Sequence, residues 1–245
     1  MPRQKGIHKL TGTIGDLTYY ESPHGYLVRR TARHDPDKIK NAPNFQGTRN
    51  NAEEFGHVAK AAGQLRRLMG SIFQDSGDTS MTSRLMSVLH KIMKVDMLHP
   101  SGERRVFHSL QHPAGHKLLT GFELNAAKPL STVYKGDYEA DTLTGIIRLP
   151  FHKRFLKVPP TAKYVQFTSA WIRPDLEKKK GHVIITRMEP ISLTHAQDTL
   201  EIIPAKSLPG KTAAILILHI QFYRKNRDVL EALQENRCGQ VVGVL

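Results

Sequence analysis

Read at period two, the stretch Ala213 to Tyr223 has one wholly apolar face, Ala214, Leu216, Leu218, Ile220 and Phe222. The opposite face begins Ala213, Ile215, Ile217 and then turns polar at His219 and Gln221. A strand apolar on both faces at one end and on one face at the other is expected inside a sheet, with its far end near solvent. The rest of the chain is expected to cover it.

Upstream, residues 10–30 read as a β-hairpin. Leu10–Ile14 and Leu17–Tyr20 are strand-like, and Ser22-Pro-His-Gly25 turns the chain into Tyr26-Leu27-Val28. An isolated hairpin is marginal in water, so it must lie on something. A polar linker punctuated by Pro36 and Pro43 follows. Residues 44–75 then carry a seven-residue repeat, with Phe55, Ala62 and Met69 answered three positions later by Val58, Leu65 and Ile72. That seam predicts a helix packed along a partner. Gly56, Gly63 and Gly70 repeat beside it, and each costs up to about 1 kcal/mol against alanine, so a partner backbone is expected close by. A second helix is predicted from Thr79 to Met97, with Met81, Leu85, Val88, Ile92 and Val95 as its stripe, antiparallel to the first.

Residues 100–133 carry little periodicity and read as an irregular connector. Beyond them the pattern is β, with strands expected at Tyr134–Ala140, Gly145–Leu149, Tyr164–Ile172, His182–Glu189, Leu200–Ile203, the opening strand and Gln240–Leu245. Val165, Phe167 and Trp171 share a face. The expectation is an α+β protein: an N-terminal β-hairpin arm and linker over 1–43, a helical hairpin over 44–99, the connector, and an antiparallel β-sandwich of immunoglobulin-like size over 134–245.

Charge changes the picture more than length does. The 245 residues carry a net charge of +14. Residues 1–105 hold 17 basic and 10 acidic side chains and residues 106–245 hold 19 and 12, so the excess is spread evenly. Such a balance favours polyanions, nucleic acid or an acidic surface. The candidate contacts are Arg66, Arg67, Arg84, Lys91 and Lys94 on the helical hairpin, with Arg148, Lys153, Arg154, Lys157 and Lys163 beyond it. One cysteine, Cys238, rules out an internal disulfide framework. No signal peptide and no apolar run near the roughly 18 residues of a membrane helix is visible. The chain is therefore expected in the cytoplasm, or within an assembled particle, without membrane insertion.

Candidate chemistry is thin. Ala205-Lys-Ser-Leu-Pro-Gly-Lys-Thr212 satisfies the loosest form of a phosphate-binding loop, yet Pro209 removes a backbone donor and a strand rather than a helix is expected next. The loop is expected to be a plain connection. His108, His112 and His116 recur at four-residue spacing with His99 and Glu103 nearby, which on a regular helix would be zinc-ligand chemistry. Pro113 and Gly115 interrupt that helix, so no metal and no cofactor is assigned. No nucleophile elbow, paired carboxylates or dinucleotide fingerprint appears, no small-molecule substrate is identified, and the chain reads as non-enzymatic.

Several segments in order, Gly12-Thr-Ile-Gly15 with Tyr19-Tyr20, Gly25-Tyr-Leu-Val-Arg29, Phe45 with Arg49-Asn50-Asn51, Glu54-Phe55-Gly56, Gly121-Phe-Glu-Leu-Asn125 and Ile220-Gln-Phe-Tyr223, resemble a family of small uncharacterised proteins common in Bacteroidota. The end departs from that pattern, since Asn226 to Leu245 lacks its Asn-Gly turns. The resemblance implies the layout of hairpin, helical pair and β domain, and no activity. The expected function is structural: self-assembly, or membership of a larger complex of which a phage-like particle is one example. Tyr19, Tyr20, Tyr26, Arg29, Gly56, Gly63 and Gly70 are the expected assembly contacts. Non-specific nucleic-acid binding is the alternative.

Overall fold

The computed structural model describes residues 2–31, 36–70, 72, 78–178, 180–195, 197–210, 212–234 and 237–245, with the backbone alone at 197–198. The chain divides into two compact units, Met1–Arg49 and Asn50–Leu245.

The first unit is an antiparallel meander of β1 (Gly12–Ile14), β2 (Leu17–Ser22) and β3 (Gly25–Arg30). The expected hairpin thus gains a third strand. Gly25, at φ 101°, supplies the left-handed step of the β2–β3 turn, and Ser22 Oγ accepts from the His24 amide. Residues 2–4 run along the outer edge of β3, where the Gln4 amide donates to the Tyr26 carbonyl and the Val28 amide to that of Pro2. The linker expected over 31–41 is in part helical, as α1 (Pro36–Asn41), while residues 32–35 lie outside the described residues. Arg49 Nη1 donates to the Ile39 and Ala42 carbonyls, satisfying acceptors that the end of a short helix leaves over.

The second unit is organised on β10 (Ile215–Asn226). It pairs along one side with β6 (Tyr164–Asp175), and along the other first with β12 (Cys238–Val244) and then with β11 (Val229–Ala232). β7 (Lys180–Arg187) and β8 (Ile191–Ser192) continue the sheet beyond β6. Ala214, Leu216, Leu218, Ile220 and Phe222 enter one core with Val165, Phe167 and Trp171. That core is closed by a second, three-stranded sheet of β4 (Glu139–Ala140), β5 (Ile147–Phe151) and β9 (Gln197–Ile202), through Ile147, Leu149, Phe151, Leu200 and Ile202. Phe151 meets Phe167 edge-on, 5.9 Å between ring centroids. Gly145, at φ 75°, lies under the Trp171 indole where a Cβ would come within 2.5 Å. The two antiparallel sheets form the expected β-sandwich, and the α+β class holds.

The opposite face of β10, Ala213, Ile215 and Ile217, joins a second core with Ala170, Ile172 and Val241, and helices cover it. These are α2 (Gln46–Met69) and α3 (Met81–Met93), which contribute Val58, Ala62, Leu65, Met69 and Met81, Leu85, Leu89, Ile92 respectively. The far end of β10 reaches solvent at Arg224–Asn226 as expected, but His219 and Gln221 on the polar face are buried, only 4% and 5% exposed. Gln221 Nε2 is satisfied by the Phe222 and Leu233 carbonyls.

The seam of α2 differs from the expected one by a rotation. Phe55 is 59% exposed, and Glu54, Ala61 and Gln64 are buried in its stead. Glu54 Oε1 accepts from the Gly102 amide at 2.8 Å, and Gln64 Nε2 donates to the Asp175 and Lys180 carbonyls at the β6–β7 turn. Two polar side chains therefore fix the helix against the β unit because each finds a backbone partner.

The stretch 100–133, expected as an irregular connector, is structured. It forms α4 (Val106–Ser109), α5 (Pro113–Leu119) and α6 (Leu130–Val133). Val106, Leu110, Leu119, Phe122 and Leu124 enter the helix-side core. Residues 121–124 then run beside β12, the Gly121 and Leu124 amides donating to the Val241 and Gly239 carbonyls. The helical part and the β part are consequently one unit, without a boundary between 99 and 134.

The packing of α5 on α4 depends on Gly115, where a Cβ would come within 2.2 Å of the Ser109 carbonyl oxygen and 3.4 Å of Ile92. Backbone cannot give way as a side chain does. Gly115→Ala is expected to cost about 1–3 kcal/mol in chemical denaturation, the range for overpacking a filled core.

Candidate functional site

The sequence-predicted residues fall in three places. Tyr19, Tyr20, Tyr26 and Arg29 lie in the first unit. Direct cross-strand partners share a face, so the pairs Ile14–Leu17, Leu17–Arg30, Tyr19–Val28 and Glu21–Tyr26 place Ile14, Leu17, Tyr19, Tyr26 and Val28 on one side of the meander, with Arg30 and Glu21 towards its two ends. Tyr20, Leu27 and Arg29 occupy the other, the Arg29 guanidinium standing 5.5 Å from the Tyr20 ring centroid. On that side Thr18 shares hydroxyl hydrogen bonds with Thr13 and Thr31. The middle of the first side is apolar, flanked by the exposed Glu21 and Arg30: Ile14 is 60% and Leu17 40% exposed, and Tyr19, Tyr26 and Val28 are half-buried. Among the described residues of Met1–Arg49 none is buried.

Gly56, Gly63 and Gly70 have no close backbone neighbour from elsewhere among the described residues. A Cβ at Gly56 would meet nothing within 4 Å, and one at Gly63 only the Arg67 guanidinium at 3.9 Å. Gly70 has its own local reason, φ 51° directly after the last residue of α2, the left-handed step that ends many helices. Intramolecular close packing therefore does not account for Gly56 and Gly63. Gly56→Ala is expected to stabilise the isolated chain by up to about 1 kcal/mol in thermal melts, as in any open helix interior. If a second chain's backbone packs on that position, the same substitution lowers the assembled mass seen by light scattering.

The basic residues divide by what already holds them. Arg84 donates to Asp78 Oδ2 at 2.5 Å and to the Glu123 carbonyl at 2.9 Å, joining α3 to the 122–126 segment. Burial pushes the Asp78 carboxyl up, and hydrogen bonds from Ser80, the Ala126 amide and Arg84 outweigh it, holding the group well below the ordinary carboxylate range. Arg148 is bound to Glu201 at 2.6 Å, and Arg66 donates to Thr82 Oγ1. Arg67, Lys91 and Lys94 are exposed on the helices. Lys153, Arg154, Lys157 and Lys163 are exposed between β5 and β6. A short 3-10 turn, Lys153–Phe155, places the first two on the surface, and Tyr134 bridges Leu156, so Lys135 sits beside them. The Lys135 amide donates to the Phe155 carbonyl and the Lys157 amide to that of Val133.

The histidines regroup. His108, His112 and His116 do not converge: His116 Nε2 lies 2.8 Å from the Leu110 carbonyl oxygen, and no metal-ligating trio exists among the described residues. His108 instead stacks on His99, 4.4 Å between ring centroids at 23°. His99 Nδ1 lies 2.7 Å from Oδ2 of the buried Asp96, which also accepts from the Leu98 and His99 amides. Burial pushes Asp96 up, but these bonds prevail and lower it. The two stacked rings form one wall of a cavity of about 480 Å³ that also takes in His57 and Lys60 of α2, Arg105, and Leu176 from the β6–β7 turn. Burial, then Arg105 and Lys60, lower the pKa of His57 below its ordinary value, against a smaller opposing pull from Glu53 at 4.0 Å. His57 carried no signal in the sequence; it comes to the cavity through the rotation of α2.

The phosphate-loop candidate lies between β9 and β10, with Lys211 outside the described residues. A strand follows it, so no helix N-terminus stands where such a loop would hold phosphate. Cys238 is buried, and burial raises its thiol well above the ordinary value. No helix of the described residues is long and apolar enough to cross a membrane. No protein-family model, curated protein or solved structure matches the chain.

Proposed function

We infer that the chain is a structural protein that assembles with further copies of itself through its N-terminal sheet. The observation that carries this reading is a three-stranded sheet with an apolar patch, Ile14, Leu17, Tyr19, Tyr26 and Val28, between Glu21 and Arg30 on one face, in a unit that buries none of its described residues. A small sheet does not persist in water on such terms unless a neighbour covers it. The receptor that fits is the edge strand β7 of a second copy. It pairs only with β6 among the described residues and exposes Val183 and Ile185 to 37% and 38%. Val28→Lys, which places a charge in the middle of the apolar face, is expected to reduce the sedimentation coefficient to that of a monomer and leave the cooperative melt of the second unit in place. A wild-type chain that sediments as a monomer, or a variant that assembles as before, overturns the reading.

A second reading, non-specific binding of nucleic acid, has its own observation. Lys135, Lys153 and Arg154 lie beside one another on the surface, and among the described residues none of them has a carboxylate within 4 Å. Polyanion affinity then falls about a thousandfold between about 50 and 200 mM salt for six phosphate contacts. Fluorescence anisotropy with a labelled oligonucleotide measures it. Affinity that is flat with salt, or unchanged in a Lys153→Ala, Arg154→Ala variant, removes this reading.

A further inference from the structure

The histidine-walled cavity is used by neither reading, and its chemistry is specific. The residues come from three separate parts of the second unit: His57 and Lys60 from α2, His99, Arg105 and His108 from the 96–109 segment, and Leu176 from the β6–β7 turn. Each of the first two parts is held by its own bonds. Glu54 fixes α2 to the Gly102 amide, and Arg105 Nη1 donates to the Gly102 and Arg104 carbonyls, which sets the guanidinium stem in place. His99 is positioned twice, by Asp96 at Nδ1 and by the stack on His108. A carboxylate at Nδ1 fixes the tautomer and the orientation of the ring.

We propose that this cavity binds a phosphate monoester carrying an apolar or aromatic body, the phosphate between Lys60, Arg105 and His57 and the body against Phe107, Val106 and Leu176. Three cationic or protonatable groups at one end suit a dianion better than a single carboxylate, because an arginine fork and a lysine together match two charges. The volume, about 480 Å³, is within the usual span for small-ligand pockets. The pKa of His57 is lowered first by burial and then by Arg105 and Lys60, and an anion would relieve the second of these causes. Glu53 and Lys60 face His57 from its own helix, Arg105 from the segment opposite, and Glu103 and Glu177 line the cavity with His99 and His108. Binding is therefore coupled to proton uptake by His57: affinity rises as pH falls towards the second pKa of the phosphate, about 6, below which the dianion itself is lost.

The test titrates the full chain with phenyl phosphate and with inorganic phosphate, reading the imidazole resonances by NMR. The expected result is a saturable shift at His57 and His99, a His57 titration moved to higher pH at saturation, and phenyl phosphate bound about tenfold more tightly than inorganic phosphate, which corresponds to about 1.4 kcal/mol for its ring. Lys60→Ala, at an exposed position, should weaken binding about tenfold with an unchanged melt. No saturable shift up to about 10 mM ligand, a range in which even weak complexes of a few kcal/mol are seen, overturns the proposal. Lys60→Ala binding as the parent does also overturns it. Benzoate binding as tightly as phenyl phosphate would sink the dianion assignment.

Discussion

The structure depends on one strand being dry on both sides. β10 sends Ala214, Leu216, Leu218, Ile220 and Phe222 into the core between the sheets, and Ala213, Ile215 and Ile217 into the core beneath the helices. Each fully buried aliphatic or aromatic side chain of this size contributes roughly 1.5–3 kcal/mol against exposure. The eight residues therefore join two layers that would otherwise be separate small domains. Because both cores share one backbone, neither can loosen without exposing the other, which explains why residues 50–245 behave as a single unit although helices and sandwich are distinct in sequence. The polar continuation of that strand is tolerated because a partner is built in. Gln221 reaches two backbone carbonyls, one from the β11 side of the sheet.

That strand was also the most legible part of the sequence, since period two needs no knowledge of what lies opposite. The N-terminal turn at Gly25 and the shared face of Val165, Phe167 and Trp171 were legible for the same reason. What stayed hidden was non-local. The rotation of α2 away from Phe55 is decided by Glu54 and Gln64, whose partners lie 48 and more than 100 residues further along the chain. A heptad count treats both as solvent-facing. The β10–β11 turn was hidden because Arg227, at φ 53°, occupies a position where Gly or Asn is the usual signal. The 100–133 segment has helices too short for a periodic stripe; only the core they enter reveals their purpose.

The cavity shows the same division. His99 and His108 are conspicuous in the sequence, yet counting at spacing four joined His108 to His112 and His116, whereas the fold pairs it with a histidine nine residues upstream. A ring stack and an Asp–His bond need a tight chain reversal, which Asp96 provides by accepting two amides of the turn it opens. His57 and Lys60 arrive from a helix that sequence alone orients by its seven-residue apolar seam. A site drawn from three segments is set by tertiary rotation, so its members are visible in the chain and its membership is not.

Charge connects the two proposed functions. Copies that each carry +14 repel one another over a Debye length of about 8 Å at physiological ionic strength. A short-range apolar face of five side chains has to work against that repulsion, and the excess is spread through both units rather than kept at one end. Neutralising part of it on a polyanion would lower the cost of bringing copies together while adding no contact between them. If both readings hold, assembly and polyanion binding are linked equilibria, and a polyanion on the surface of Lys135, Lys153 and Arg154 would also favour closure of the N-terminal sheet on a neighbouring copy. By reciprocity, assembled chains would hold the polyanion more tightly than single ones.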